Sequence, residues 1–329
     1  MTARGRGPAR PALRGQRALV TGAGGFIGVR LVRALIEEGA AVFAALRKGS
    51  EPPAALAHVS GPLRFFELDV RDAAACRAAL RPLAPEVVYH LAAFTDNRRE
   101  PGAIDEAVAT NVAGTANVVR ALEGAPLRSF VHAGTGEEYG RGPVPFREDQ
   151  PLDPVSPYSA SKAAVAHVLR AIHVTNGFPS VTARIFMPYG PGMAPHRFLA
   201  LALTAARTGE TLRMTRGAQT RDFVHVDDVV EALIRVSLSR EVFGEAVNVG
   251  TGVETSLRDA AALVGTLTDG RLRVEAGAVP YRKAEVMRSV ADVAHLKERI
   301  GWVPRISLEE GLRRLLADDA SRPAEREGR

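Results

Sequence analysis

The sequence predicts an α/β protein: a doubly wound parallel sheet with helices on both faces, and a smaller C-terminal lobe that closes on substrate. Three observations carry this. From Arg17 to about Phe186, short β-rich runs alternate with amphipathic helical runs, the order that builds parallel sheets from strand–helix–strand units. The strand runs are apolar nearly throughout, as strands covered on both faces are. After about Pro188 the alternation loosens, beginning at the Pro/Gly cluster "MPYGPGMAP".

In order, strands are expected at "RALV", "AAVFAAL", "LRFFEL", "EVVYHLAA", "RSFVHAG" and "SVTARIF". The helical runs between them are "IGVRLVRALIEEG", "RDAAACRAALRP", "EAVATNVAGTANVVRALEG" and "SPYSASKAAVAHVLRAIHVTNG". The expected organisation is a dinucleotide-binding domain over 17–187 and an interleaved substrate lobe over 188–317. Polar tails at 1–16 and 318–329 are expected to be disordered. The lobe carries "RDFVHVDDVVEALIRVSL", "EAVNVGTG" and a final "SLEEGLRRLL".

Composition narrows the function classes. No apolar run approaches the ~18 residues of a membrane span, and the N-terminus lacks the apolar stretch of a secretory signal. A single cysteine, Cys76, cannot form an internal disulfide, which suits the cytoplasm. The formal charge is +6, but Arg4, Arg6, Arg10 and Arg14 all lie in the N-terminal tail. The body is nearer balance and shows no basic stripe interleaved with aromatics, so nucleic acid is not the expected partner. An anionic small-molecule substrate accounts for the charge equally well.

"TGAGGFIG", Thr21 to Gly28, sits between a strand-like and a helix-like run. Gly22, Gly25 and Gly28 permit a tight turn whose backbone N–H groups, with those of Phe26 and Ile27 at the helix start, can cradle a pyrophosphate. That context marks a Rossmann-like dinucleotide site, although the spacing is G-x-x-G-x-x-G and a glycine-rich turn without ligand remains the plain alternative. No Gly-Lys-Ser/Thr follows, so this is not a Walker loop. Where an acidic residue would meet the ribose 2′-OH of NAD, the chain reads "LRKGS". Arg47 and Lys48 could face a 2′-phosphate, which favours NADP(H) over NAD(H). Two solvated surface cations are the alternative.

Tyr158 and Lys162 stand four residues apart, on one helix face. A lysine one turn away stabilises a phenolate, making a tyrosine with a reference pKa of about 10 usable as a general acid or base.

Together "TGAGGFIG", "HLAA", "TNVAGTANVV", "GTGEEYG", "YSASK", "YGPG", "RDFVHVDDVVEAL" and "NVGTG" resemble the extended short-chain dehydrogenase/reductase family acting on nucleotide sugars, from about Arg17 to Leu316. The resemblance implies Tyr158 as catalytic acid/base, Lys162 as its partner on the nicotinamide ribose, and Thr135 as the hydroxyl that holds the reacting sugar oxygen. It implies Asp69 and Val70 at the adenine, Leu91, Ala92 and Ala93 along the cofactor, and Asn111 in a structural or water-positioning role. A strand-end cap is the plain alternative for Asp69. Thr95, Glu137, Met187, Arg221 and Arg282 are implied at the substrate, Glu137 also among the catalytic residues and the two arginines on the substrate's diphosphate, for which a planar guanidinium fork is suited. Met187 departs from the asparagine often found there, and a thioether cannot donate a hydrogen bond. Asp222, His225, Asp227 and Asp228 lack metal-ligand spacing, and the family pattern makes them packing and helix-start residues, so no metal is expected. A homodimer through the two long helices is implied as well.

The shared hydride chemistry serves 4-ketoreductases, 4-epimerases and 4,6-dehydratases. The family's dehydratases carry a proton donor between the threonine and the glutamate; here the run is Thr135-Gly136-Glu137, and glycine has none. "GTGEEYG", Arg47, Lys48 and a loose likeness of "PYRKAEVMRSVADVAHLKERIGW" to CDP-deoxysugar 4-ketoreductases favour reduction of a nucleotide-linked 4-keto-6-deoxyhexose. A 4-epimerase stands second and a 4,6-dehydratase third. A non-catalytic NADP(H) sensor is the reading from another class, against which the retained Thr135, Tyr158 and Lys162 speak.

Overall fold

The computed structural model describes residues 13–321. Its strands are β1 (Arg17–Thr21), β2 (Ala41–Leu46), β3 (Leu63–Glu67), β4 (Val87–His90), β5 (Ser129–Thr135), β6 (Ser180–Ile185), β7 (Met187–Tyr189), β8 (Thr211–Met214), β9 (Thr220–Arg221), β10 (Phe223–His225), β11 (Ala246–Val249), β12 (Thr255–Ser256) and β13 (Arg273–Ala276). Its helices are α1 (Phe26–Glu37), α2 (Ala73–Leu80), α3 (Ile104–Ala107), α4 (Gly114–Ala121), α5 (Pro157–Asn176), α6 (Phe198–Thr208), α7 (Val226–Leu238), α8 (Leu257–Leu267), α9 (Ala294–Ile300) and α10 (Leu308–Ser321). A seven-stranded sheet runs in the order β11-β6-β5-β4-β1-β2-β3. The pairs β1·β2, β1·β4, β2·β3 and β4·β5 are parallel, as the alternating sequence predicts.

The chain divides into two compact units, one of residues up to 134 with 156–183 and 233–246, the other of 135–155, 184–232 and 247 onward. In the first, Leu19, Val88 and Phe130 from the sheet pack with Leu80, Val118, Val165 and Leu169 from helices, each such side chain contributing about 1.5–3 kcal/mol on burial. Local chemistry sets the helix ends. The Asp72 carboxylate accepts from the N–H groups of Ala74 and Ala75, both at 2.9 Å, and starts α2. Ser156 and Ser159 form a capping box ahead of α5, with Pro157 in the first turn, and Gly177 at φ +67° ends it. The second unit has its own core, with Tyr189, Leu199, Leu203, Leu212, Phe223, Val264 and Leu312 among its buried members.

Two expectations change in detail. The run expected as one helix over 106–124 is interrupted: a π-helical segment, Val108–Ala113, lies between α3 and α4. Its extra residue turns Asn111 inward, where its side chain is buried and fully bonded. At the N-terminus, packing starts before Arg17, because Leu13 is fully buried and the Gly15 N–H donates to Gly39 O at 2.8 Å. At the other end α10 continues to Ser321. The rest of the expected tails, 1–12 and 322–329, lies outside the described residues.

Candidate active site

The first unit builds a cradle from the glycine loop. Gly22 has φ +69°, and a Cβ there would stand 2.7 Å from Ala92 N and 2.8 Å from Leu91 C, so the loop closes directly on the exit of β4. A Cβ on Gly28 would overlap Gly22 O, which keeps α1 pressed against the turn. Gly25 is exposed and caps α1 with no side-chain acceptor, and the first turn holds no acidic residue. The opening N–H groups of α1, from the half-buried Phe26 and Ile27, are thus left for an anion. Leu91, Ala92 and Ala93 are half-buried beside the loop. These features fit a bound dinucleotide.

The outlying cofactor candidates differ. Arg47 and Lys48 are exposed just past β2. The Asp69 carboxylate is gripped by its own turn: Arg71 Nη2 lies at 2.6 Å, and the Arg71 backbone N–H donates at 3.0 Å. Arg71 holds Asp69 below the usual carboxylate range. Val70 is buried against Gly114. Thr95 is exposed on the segment after β4.

On α5, Tyr158 is half-buried and Lys162 is 2 % exposed. Lys162 Nζ donates to Ala133 O at 2.8 Å. His90 and His132, register partners on β4 and β5, are fully buried and stack at 6.3 Å. Burial pushes the His90 imidazole down to about 3, with the Lys162 charge acting the same way, and His132 is driven down by the same causes.

The second unit builds a platform under Thr135. The Thr135 N–H donates to Glu138 Oε1 at 2.9 Å, and Thr135 Oγ1 accepts from the Glu137 N–H at 3.2 Å. Glu138 is fully buried and pairs with the buried Arg184 at 2.8 Å. Arg184 also donates to the Tyr139 hydroxyl, which donates to Asn248 Oδ1. Glu137 is half-buried. Gly136 is held bare, since a Cβ would stand 3.0–3.1 Å from three ring atoms of Phe186. Met187 pairs with Phe223 across β7·β10 and packs on the apolar core of this unit. Arg221 is engaged by its own chain, with Nη2 on Glu285 at 2.6 Å and Nη1 on the carbonyls of Thr220 and Val286. Arg282 is exposed at the start of the turn that leads to Glu285. Asp222 and Asp228 accept from backbone amides, Asp222 from Thr251, Gly252 and Ala291, Asp228 from Arg305 and Ile306. Among the described residues no group of three or more His, Cys, Asp or Glu side chains is placed to hold a metal ion.

A family profile described as "NAD dependent epimerase/dehydratase family" matches residues 18–250. The chain belongs to that family.

Among its relatives is a UDP-glucose 4-epimerase of Mycolicibacterium smegmatis, 34% identical over 90% of this chain and 96% of the relative. A dTDP-glucose 4,6-dehydratase of Neisseria gonorrhoeae is 31% identical over 90% of this chain and 93% of its own length. The structure of a Thermus thermophilus UDP-glucose 4-epimerase in complex with NAD superposes with a TM-score of 0.82, at 28% identity, covering 93% of this chain and 99% of that one. As an epimerase/dehydratase family member the chain is an enzyme of nucleotide-sugar chemistry with NAD as the family's cofactor, which does not support a preference for NADP. Among the described residues no helix is long and apolar enough to cross a membrane.

The sequence singles out Gly22, Gly28, Thr135, Tyr158, Lys162 and Asn111 but not Glu138, Arg184, Phe186 or His90. The "EEY" run and the "HLAA" motif hold two of the missed residues, but their partners lie too far along the chain to be read.

Two expectations follow from these buried groups. Arg184→Met leaves the Glu138 carboxylate buried without its cation, and chemical denaturation should register a loss of about 3–5 kcal/mol. The buried imidazoles predict an acid dependence. In the unfolded chain they bind protons below about pH 6.5, while His90 in the folded chain does not until about 3. Stability is therefore complete above pH 6.5 and falls below it, by about 2 kcal/mol at pH 5 from His90 alone. Denaturation midpoints at pH 5, 7 and 8 test this; equal midpoints at 5 and 7 would count against neutral burial.

Proposed function

We propose that this enzyme is an NAD-dependent nucleotide-sugar 4-epimerase. The observation that carries it is Gly136, hemmed by the Phe186 ring. In the family's pattern a 4,6-dehydratase needs a proton-donating side chain there, between Thr135 and Glu137; this chain has none, and a Cβ would require the Phe186 ring to give by a few tenths of an ångström. The 34% identical UDP-glucose 4-epimerase adds support.

A nicotinamide bound there would supply reversible hydride transfer at the sugar C4. The chain's own groups handle the rest. Tyr158 takes the 4-hydroxyl proton and later gives it back. Lys162, one turn along α5, stabilises the phenolate. Thr135 Oγ1 is fixed by the Glu137 N–H, which leaves its proton to hold the sugar oxygen. The glycine loop and the start of α1 hold the pyrophosphate of the dinucleotide. For Arg221 or Arg282 to hold the substrate diphosphate, Arg221 exchanges its Glu285 partner for phosphate oxygens.

Reduction of a nucleotide-linked 4-keto-6-deoxyhexose with NADPH is the second reading, and Arg47 and Lys48 at the end of β2 favour it. A non-catalytic NADP(H) sensor has no use for the Thr135, Tyr158 and Lys162 set. The single cysteine, free and buried, agrees with a cytoplasmic enzyme.

Purified protein should release NAD on denaturation and interconvert a nucleotide-hexose with its C4 epimer, with no net change in the reduced-nicotinamide absorbance. Tyr158→Phe should lower kcat by about 10²–10⁴-fold. Stoichiometric loss of NADPH with a 4-keto-6-deoxysugar would give the case to the reductase, and a 4-keto-6-deoxy product from a hexose to the dehydratase.

A homodimer is proposed on the helical face of the first unit. Ile104 and Val108, at and beyond α3, are 47% and 48% exposed, and Val168 on α5 is 51% exposed. Light scattering should give twice 35.0 kDa, and Val168→Glu should shift it to the monomer mass.

A further inference from the structure

We propose that His90 is a positioning residue for the chemistry at Tyr158, acting through one directional line of hydrogen bonds that runs from the glycine loop to the catalytic helix. The line rests on the assignment of Tyr158 as acid/base above, and every proton in it has a single address. The Thr115 hydroxyl donates to Asn111 O at 2.5 Å. Its one proton being used, Thr115 Oγ1 accepts from His90 Nε2–H at 3.0 Å. A neutral imidazole protonated at Nε2 accepts at Nδ1, so the Thr21 hydroxyl donates to it at 2.8 Å. Thr21 Oγ1 in turn accepts from the Ala92 N–H at 3.2 Å.

Beyond Asn111 the direction is again forced. Asn111 Oδ1 accepts from the Phe94 N–H at 2.8 Å, while Nδ2 donates to Phe94 O at 3.1 Å and to Ser161 Oγ at 2.8 Å. The Ser161 hydroxyl gives its proton to the Tyr158 carbonyl at 2.8 Å. The first residue of the glycine loop, the exit of β4 and the backbone of the acid/base residue are thereby tied into one line.

The π-helical segment is what this line holds. Val108–Ala113 departs from the α-helical ladder, and such departures survive where something else satisfies the backbone and often mark functional sites. Here the Thr115 hydroxyl, pinned by His90, takes the Asn111 carbonyl. Without that bond the segment can relax toward the α-helical register, which swings the Asn111 amide away from Phe94 and Ser161. The carbonyl of Tyr158 then loses the hydroxyl that orients it.

His90→Phe removes both imidazole contacts. Thr115→Val, close in shape, removes the relay hydroxyl alone, and Thr115→Ser keeps it. Steady-state kinetics, melting temperature, bound dinucleotide and amide exchange are measured on all three. The expected result is kcat lower by up to about 100-fold in Thr115→Val, with KM within about twofold and exchange faster over 108–115 and 158–162, and restoration of both by Thr115→Ser. Unchanged kcat in Thr115→Val, or a loss that Thr115→Ser does not restore, would overturn the proposal, as would unaltered exchange over 158–162. If Tyr158→Phe keeps full activity, the assignment of Tyr158 fails instead, and the exchange data alone then decide whether the line exists.

Discussion

Lys162 carries its charge at a position 2 % exposed, with Ala133 O at 2.8 Å. Burying an ammonium costs several kcal/mol unless its protons are taken up and the charge is answered. Much of the first unit reads as the answer to that cost. The carbonyl end of β5 supplies an acceptor. The two imidazoles beside it are kept neutral by burial and by Lys162 itself, so no second positive charge accumulates. In the proposed reaction, ionisation of Tyr158, one turn earlier on α5, would place a negative charge near this ammonium, the kind of differential stabilisation on which catalysis rests.

The arrangement also explains why polar groups are sunk so deep at the ends of β1 and β4. Thr21, His90, Asn111 and Thr115 are all buried, where an unmatched donor or acceptor costs about 1–3 kcal/mol. Each of these side chains has its hydrogen-bonding groups matched along a single line. A network satisfied in this way rigidifies the elements it joins. Here those elements are the glycine loop, the exit of β4 and α5.

What was legible in the sequence was whatever local chemistry dictates. Strands buried on both faces show as continuous apolar runs, so β1 to β6 could be placed to within a few residues. Tyr158 and Lys162 were legible because four residues make one helical turn, and the glycine loop because only glycine allows its close approach to Ala92. Contacts between distant residues were not legible. Glu138 meets Arg184, Gly136 meets Phe186 and Arg221 meets Glu285, and no local period announces any of them. The π-helical segment escaped because one inserted residue barely alters the apolar spacing of a long helix. The preference for NADP drew on Arg47 and Lys48, whose exposure leaves them compatible with plain solvation, and the family's cofactor is NAD.

A fold shared by epimerases and dehydratases cannot choose between those reactions. The proposed reading of this chain rests on the few residues next to Thr135. The Thr135 N–H is held by Glu138, which pairs with Arg184, and Gly136 faces the Phe186 ring. A Cβ added there would need that ring, which packs with Tyr139 and Phe146, to give by a few tenths of an ångström. Such rings resist displacement because interiors are packed as densely as organic crystals. Replacing Gly136 would therefore press on the Phe186 ring beside the platform of Thr135.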